Sequence, residues 1–262
     1  MTSLRVVRAF WETHVNNEYY TEAARGSAAY FADIVAKRYR YHYHLLELFK
    51  RLEREGMADK TLLEVGCGIG IDTFSLARLG FREVVGIDLT EAAINVARRR
   101  AAAEGLGSVR FELGNAERLP FPADAFDVVY SFGVIHHTPC IANAISEMHR
   151  VLKPEGRAFV MIYHRHSLVR LIHHLFSLPY EAPQHRGDDC PIVHAYSRSR
   201  ARLLFDAFSE VRLHTDYPFT FGMRHLSRFV PIFAQRALGR AIGWHLMIEA
   251  RKSTSSLDPL IP

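Results

Sequence analysis

The sequence predicts an α/β protein built around a mostly parallel sheet. Short, continuous apolar runs stand at TLLEV (61–65), EVVGIDL (83–89), VRFELG (109–114), FDVVYSFG (126–133) and RAFVMIYH (157–164). Amphipathic helical patterns separate them, and three glycines follow the first run. Val/Ile/Leu runs of this kind, alternating with helices, mark strands covered on both faces.

Taken in order, the chain up to residue 56 has no strand-like run and reads as a helical cap, dense in aromatics and arginine. Leu45, Leu48, Phe49 and Leu52 recur at helical spacing and need a surface to pack on. Residues 57–252 carry the alternation. The first helix ends at Gly80, and TEAAINVARRRAAAEG takes Thr90 as N-cap and Gly105 as stop. SEMHRVLKPEG is helix and turn, SRSRARLLFDAFSE helix, EVRLHTDY strand and WHLMIEAR the closing strand. Two insertions, about 164–195 and 219–243, interrupt the pattern where substrates of parallel sheets bind, so they read as a substrate lid. Residues 253–262 read as a tail.

Composition narrows the function. The 262 residues are 48% hydrophobic and 23% charged, which excludes wholesale disorder. The net charge is +5, and only five of the 33 basic residues are lysine. That excess is too small to imply nucleic acid by itself. Cys67, Cys140 and Cys190 are an odd set without a CxxC pair, which points to neither a disulfide framework nor a zinc ribbon. Charges interrupt the first fourteen residues, so they do not read as a secretion signal, and no run approaches the ~18 apolar residues of a membrane span. Together these features favour the cytoplasm.

The chemistry concentrates in LLEVGCGIGIDTFSLARLG. Gly66, Gly68 and Gly70 permit a sharp turn and close approach of the backbone to a ligand. The dinucleotide fingerprint GxGxxG would need glycine where Ile71 stands, which disfavours a nicotinamide-dependent dehydrogenase, and no GK[ST] follows to make a P-loop. Asp88 closes the second run. It either accepts hydrogen bonds from both hydroxyls of a ribose or caps the next helix, and the glycine loop before it favours ribose. Asn115 either presents its carbonyl to an adenine amino group or makes an Asx turn, and Ala116 opens a path beside it.

These blocks, in order and in register from about Thr61 to Tyr163, resemble the class I S-adenosylmethionine-dependent methyltransferases, in the subgroup typified by ubiquinone/menaquinone-biosynthesis enzymes. LEVGCGIG resembles the first family motif, GID the acidic end of the second strand and NAERLPFPADAFDVV the segment joining the third strand to the fourth. SFGVIHH and RVLKPEGRAFV resemble the blocks beyond. The resemblance implies a Rossmann-like, seven-stranded, mostly parallel sheet with an antiparallel last strand, and S-adenosylmethionine as cofactor. It implies that Glu64 meets the methionine amino group and that the amides around Gly66, Cys67, Gly68 and Gly70 meet the methionine part. Asp88 would hold the ribose, Leu89 would lie against adenine, Asn115 and Ala116 would face its edge, and Ser131 would approach the methyl end. The subgroup usually has Asp where this chain has Asn115.

Methyl transfer needs a base only when the acceptor is a hydroxyl or an acidic carbon. His136 and His137, just past the fourth run, are the first candidates, with a structural role in the loop as the alternative. Tyr163, His164 and His166 are further ones. His42 and His44, two apart, would face different ways on one helix. His173 and His174 read as surface or interface. The cluster His185, Asp188, Asp189, Cys190 and His194 lacks regular ligand spacing, so no metal is expected. Tyr19, Tyr20, Tyr41 and Tyr43 either close over the cofactor or hold the cap to the sheet. Arg224, Arg228, Arg236 and Arg240 could meet an anionic or lipid-like acceptor, a membrane surface or a partner chain such as a second copy. The sequence expectation is a small-molecule methyltransferase. A catalytically silent cofactor-binding or scaffolding protein and a macromolecule methyltransferase are the alternatives. Phe132 and Gly133 after Ser131 replace the Pro-Pro-aromatic motif of enzymes that methylate exocyclic or amide nitrogen.

Overall fold

The computed structural model describes residues 3–178, 189–219 and 229–254. Helices α1 (Leu4–Thr13), α2 (Ala28–Tyr41) and α3 (Tyr43–Glu55) precede a single sheet. Its strands are β1 (Thr61–Val65), β2 (Glu83–Asp88), β3 (Val109–Leu113), β4 (Phe126–Phe132), β5 (Leu152–His164), β6 (Ala195–Tyr196), β7 (Glu210–Asp216) and β8 (His245–Arg251). The order is β3-β2-β1-β4-β5-β8-β7, with β6 pairing with β5 outside that path. The first five strands run parallel to one another. β8 runs antiparallel to both β5 and β7. The expected seven strands with an antiparallel last one are present, and β6, where the first insertion returns to the sheet, is an addition.

Side chains alternate across a strand, so each apolar run feeds two cores. Leu62, Val84 and Val128 face α3, α4 (Ile71–Ala77) and α5 (Glu91–Glu104). Leu63, Val85 and Val129 face α6 (Ile141–Val151) and α8 (Arg198–Leu204). The predicted stripe Leu45, Phe49 and Leu52 lies on the first of these cores. A third cluster joins Tyr20, Tyr30, Phe31 and Ile34, from the residues before β1, to Ile69 and Ile71 behind the glycine loop. The same sequence segment that reads as a cap therefore packs against the cofactor-side edge of the sheet.

Several local expectations change. Gly105 ends α5 in the left-handed conformation, as expected, but the Thr90 hydroxyl does not cap the helix; it donates to Asp88 Oδ1 at 2.7 Å. The N-terminal amides are met from outside, with Glu91 N and Ala92 N donating to the Glu12 carboxylate of α1. SRSRARLLFDAFSE is helical only over Arg198–Leu204. The insertions contribute α7 (Leu168–Leu175) and α9 (Ile232–Ile242). His185, Asp188, Arg224 and Arg228 lie outside the described residues, as does the tail from residue 255. No described helix is long and apolar enough to cross a membrane.

Candidate active site

The carboxyl edge of β1, β2 and β4 opens into a cleft of about 1010 Å³, its mouth included. The glycine loop forms its floor. Gly66, Gly68 and Gly70 all take φ between +54° and +80°, a region that only glycine enters without cost. A β-carbon on Gly66 would drive into the Val134 side chain, and one on Gly70 would stand 2.7 Å from the Phe111 ring. At Gly68 nothing lies within 4 Å, so this glycine leaves the cleft open. Gly70 serves the packing beneath the loop and does not line the cleft.

The loop amides differ from expectation. Gly66 N and Cys67 N both donate to Ile87 O at 2.8 Å, and Gly70 N donates to Cys67 O. Gly68 N donates to Asp88 Oδ2 at 2.9 Å. Three of these donors hold the loop to β2 and the fourth closes the loop on itself, so the loop offers a ligand its open surface. Cys67 lines the cleft, but burial, with Asp88 and Glu64 nearby, pushes its thiol up, away from nucleophilic use.

Three carboxylates, Asp88, Glu64 and Asp72, line the cleft. Asp88 accepts from Thr90 N at 3.0 Å, from the Thr90 hydroxyl and from Gly68 N. Its carboxyl is raised by burial, and these hydrogen bonds oppose the rise. The turn-forming and ligand-facing readings of Asp88 are thus compatible, because a carboxylate has more acceptor sites than these donors fill. Glu64, 4% exposed, takes the Thr73 hydroxyl. Burial and the neighbouring Asp72 charge hold its carboxyl well above the usual range. Leu89, Asn115 and Ala116 line the far side of the cleft. Asn115 Oδ1 accepts from Glu117 N at 2.9 Å, the Asx turn named as its alternative.

A buried ion pair that the sequence did not reveal also lines the cleft. Arg38 of α2 donates through Nε to Asp72 Oδ1 at 2.7 Å and through Nη2 to Asp72 Oδ2. Tyr130 and Tyr39 donate their hydroxyls to the same carboxylate at 2.9 and 3.0 Å. Removing one partner of such a pair costs about 3–5 kcal/mol, because a charge is left buried and unmatched. Asp72, the second residue of the helix after the glycines, was the available signal.

A second cavity of about 520 Å³ adjoins the first, and both are lined by Trp11, Asn17, Arg38, Phe132, Gly133 and His137. His42, Met161, Tyr163, Tyr217, Trp244 and His245 belong to the second alone. The two catalytic candidates separate here. His137 lines both cavities, its Nδ1 2.7 Å from Ile192 O, its ring 5.4 Å from Trp11. His136 is fully buried under Tyr163, with ring centroids 3.9 Å apart, and faces neither cavity. Ser131 is also fully buried and donates to Val65 O between the strands, whereas Phe132, Gly133 and Val134 line the cleft.

His42 and His44 correct a further expectation. The chain breaks between α2 and α3 at His42, so the two are not on one helix. They meet in a buried group with His245, their ring centroids 5.3–5.9 Å apart. Among the described residues no group of His, Cys, Asp and Glu is arranged to hold a metal ion.

This doubly wound sheet with a glycine loop and acidic second-strand end is the class I methyltransferase fold. Residues 63–160 match the model of the methyltransferase domain family. The uncharacterized methyltransferase YcgJ of Bacillus subtilis is 36% identical over 110 residues, 42% of this chain and 43% of that protein. A ubiquinone biosynthesis O-methyltransferase of Nitrosococcus oceani is 39% identical over 110 residues, 42% of this chain and 46% of its own length. The matched stretch thus spans less than half of these curated relatives. The crystal structure of YcgJ superposes with a TM-score of 0.57 at 22% identity, covering 82% of this chain and all of that one. The cyclase SpnF superposes with a TM-score of 0.63 at 19% identity over 97% of this chain and 98% of its own.

The donor set of the cleft fits S-adenosylmethionine. Asp88 stands where a diol would be held, Glu64 offers an anion to an ammonium, and the open surface at Gly68 leaves room between them.

Proposed function

We propose that the chain transfers a methyl group from S-adenosylmethionine to a small-molecule acceptor. The observation that carries this reading is the pair of adjoining cavities, one with the glycine loop and the carboxylates of Glu64, Asp72 and Asp88, the other lined by aromatic rings, meeting at Phe132, Gly133 and His137. Bound in the first, the cofactor supplies a methyl group activated by a sulfonium. The chain's own work is then to orient and to exclude water, and positioning of this kind supplies much of a displacement's rate.

Asp88 holds the ribose diol, Leu89 flanks the adenine, and Asn115 and Ala116 meet its edge. Glu64 takes the ammonium. Arg38, already matched by Asp72, offers its remaining guanidinium edge to the carboxylate. Residues 3–56 act as a cap whose α1 roofs the cleft with Leu4, Val7 and Trp11. Incubation with S-adenosylmethionine and a panel of phenols, amines and carbon acids tests the reading. Acceptor-dependent release of S-adenosylhomocysteine supports it. Cofactor binding with no release from any acceptor contradicts it.

A further inference from the structure

His42 is a buried imidazole that the reading above does not use. It is 6% exposed and lines the second cavity. Its Nδ1 lies 3.1 Å from Arg38 O, a carbonyl that can only accept, so the proton sits on Nδ1 and the lone pair on Nε2. Both ring nitrogens of His136 are sealed without partners, whereas Nε2 of His42 is not sealed and meets no hydrogen-bond donor among the described residues. Packing fixes the ring: it stacks on His245 and Tyr217, with centroids 5.4 and 5.0 Å away, and turns its edge to Phe132. Burial, then the Arg38 guanidinium and His44, lower its pKa well below the ordinary range, so the ring is neutral.

The surroundings restrict the acceptor. Trp11, Tyr163, Tyr217, Trp244 and Phe132 line it with aromatic rings, Tyr163 stacked on Trp244 and Tyr217 on His42, and among the described residues lining this cavity none is Asp or Glu. Among those residues Arg38 alone carries a permanent charge. A planar hydroxyl finds aromatic neighbours and a lone pair to receive its proton.

We propose that the second cavity takes an aromatic hydroxyl acceptor and that Nε2 of His42 is the catalytic base that accepts its proton. This rests on the methyl-transfer reading above. The hydroxyl O–H bond breaks toward Nε2 while the oxygen forms a bond to the methyl carbon. The carbon–sulfur electron pair returns to sulfur, leaving a neutral thioether and a methyl ether. The imidazolium then gives its proton to solvent.

The test uses His42→Asn, whose side-chain amide can still donate to Arg38 O but lacks the second nitrogen. The chain's two tryptophans, Trp11 and Trp244, both line the cavity, so their fluorescence reports its occupancy. Catechol should quench the wild type and bind the variant within about threefold. Methyl transfer to weakly acidic phenols should fall about 100-fold. The loss should shrink as the phenol becomes more acidic and nearly vanish for a nitrophenol already ionised at the assay pH. His42→Gln serves if the first variant does not fold. An equal loss across the series, no loss, or a graded loss in His137→Asn instead would overturn the assignment. Calorimetry with S-adenosylmethionine separates the failures: no binding to the wild type sinks the methyl-transfer reading, whereas binding without phenol methylation sinks this one alone.

Discussion

Glu64 shows how burial can tie ligand binding to pH. In the free protein its carboxyl is raised by burial and by Asp72, so it keeps its proton above the pH where an exposed glutamate loses it. An ammonium beside it favours the ionised form and lowers that value. Binding therefore releases a proton, and affinity should rise with pH until the free protein's Glu64 is itself ionised. Calorimetry in two buffers of different ionisation enthalpy should show the release in the wild type and its loss in Glu64→Gln. Glu64 could be singled out in the sequence because it stands two residues before the first glycine. Ser131 and His136 show where such reading stops. Both are polar residues at the right strand end, but a change of one position moves a side chain from the cavity to the interior. Phe132 and His137 hold the places assigned to their neighbours. In the sequence nothing separates His136 from His137; the fold does, by seating Tyr163 on one ring.

At the scale of elements, the strands were legible because five apolar runs have no other way to bury both faces. Gly66, Gly68 and Gly70 before α4 were legible because glycine alone enters their backbone conformation without cost. The helices before β1 were not. Tyr41, His42 and Tyr43 carry no glycine or proline to mark the break between α2 and α3, yet that break brings His42 to the second cavity. The attachment of α1 was equally hidden, since it depends on a contact across 79 residues. Glu12 accepts from Glu91 N at 3.2 Å and from Ala92 N at 2.7 Å, which satisfies two orphan donors at the positive end of α5. Arg8 of α1 adds an exposed ion pair to Glu91, worth little by itself. Glu12→Ala should lower stability by about 0.5–1 kcal/mol in chemical denaturation, the lower part of the range for a lost cap. It should also speed cofactor dissociation in stopped-flow measurements, because α1 roofs the cleft. Unchanged stability and unchanged dissociation would detach α1 from both roles.

Across the whole molecule, one sheet edge gathers contributions from segments that are far apart in sequence. The glycine loop, the end of β2 and the turn after β4 shape the first cleft; α2, the end of β5 and the start of β8 shape the second. The matched domain, residues 63–160, supplies the first set almost entirely, while His42, Trp244 and His245 of the second lie outside it. The first cleft is thus lined largely by the matched domain, with α1 and Arg38 added from outside it, and the second draws more on the segments around that domain. The central claim is that Asp88 holds the sugar of the cofactor. Calorimetric titration of wild type and Asp88→Ala with S-adenosylmethionine tests it most directly. The account predicts saturable binding to the wild type and an affinity about 10- to 100-fold weaker in the variant, the worth of hydrogen bonds to a charged group. Equal affinities in the two proteins, or no heat of binding in either, would contradict it.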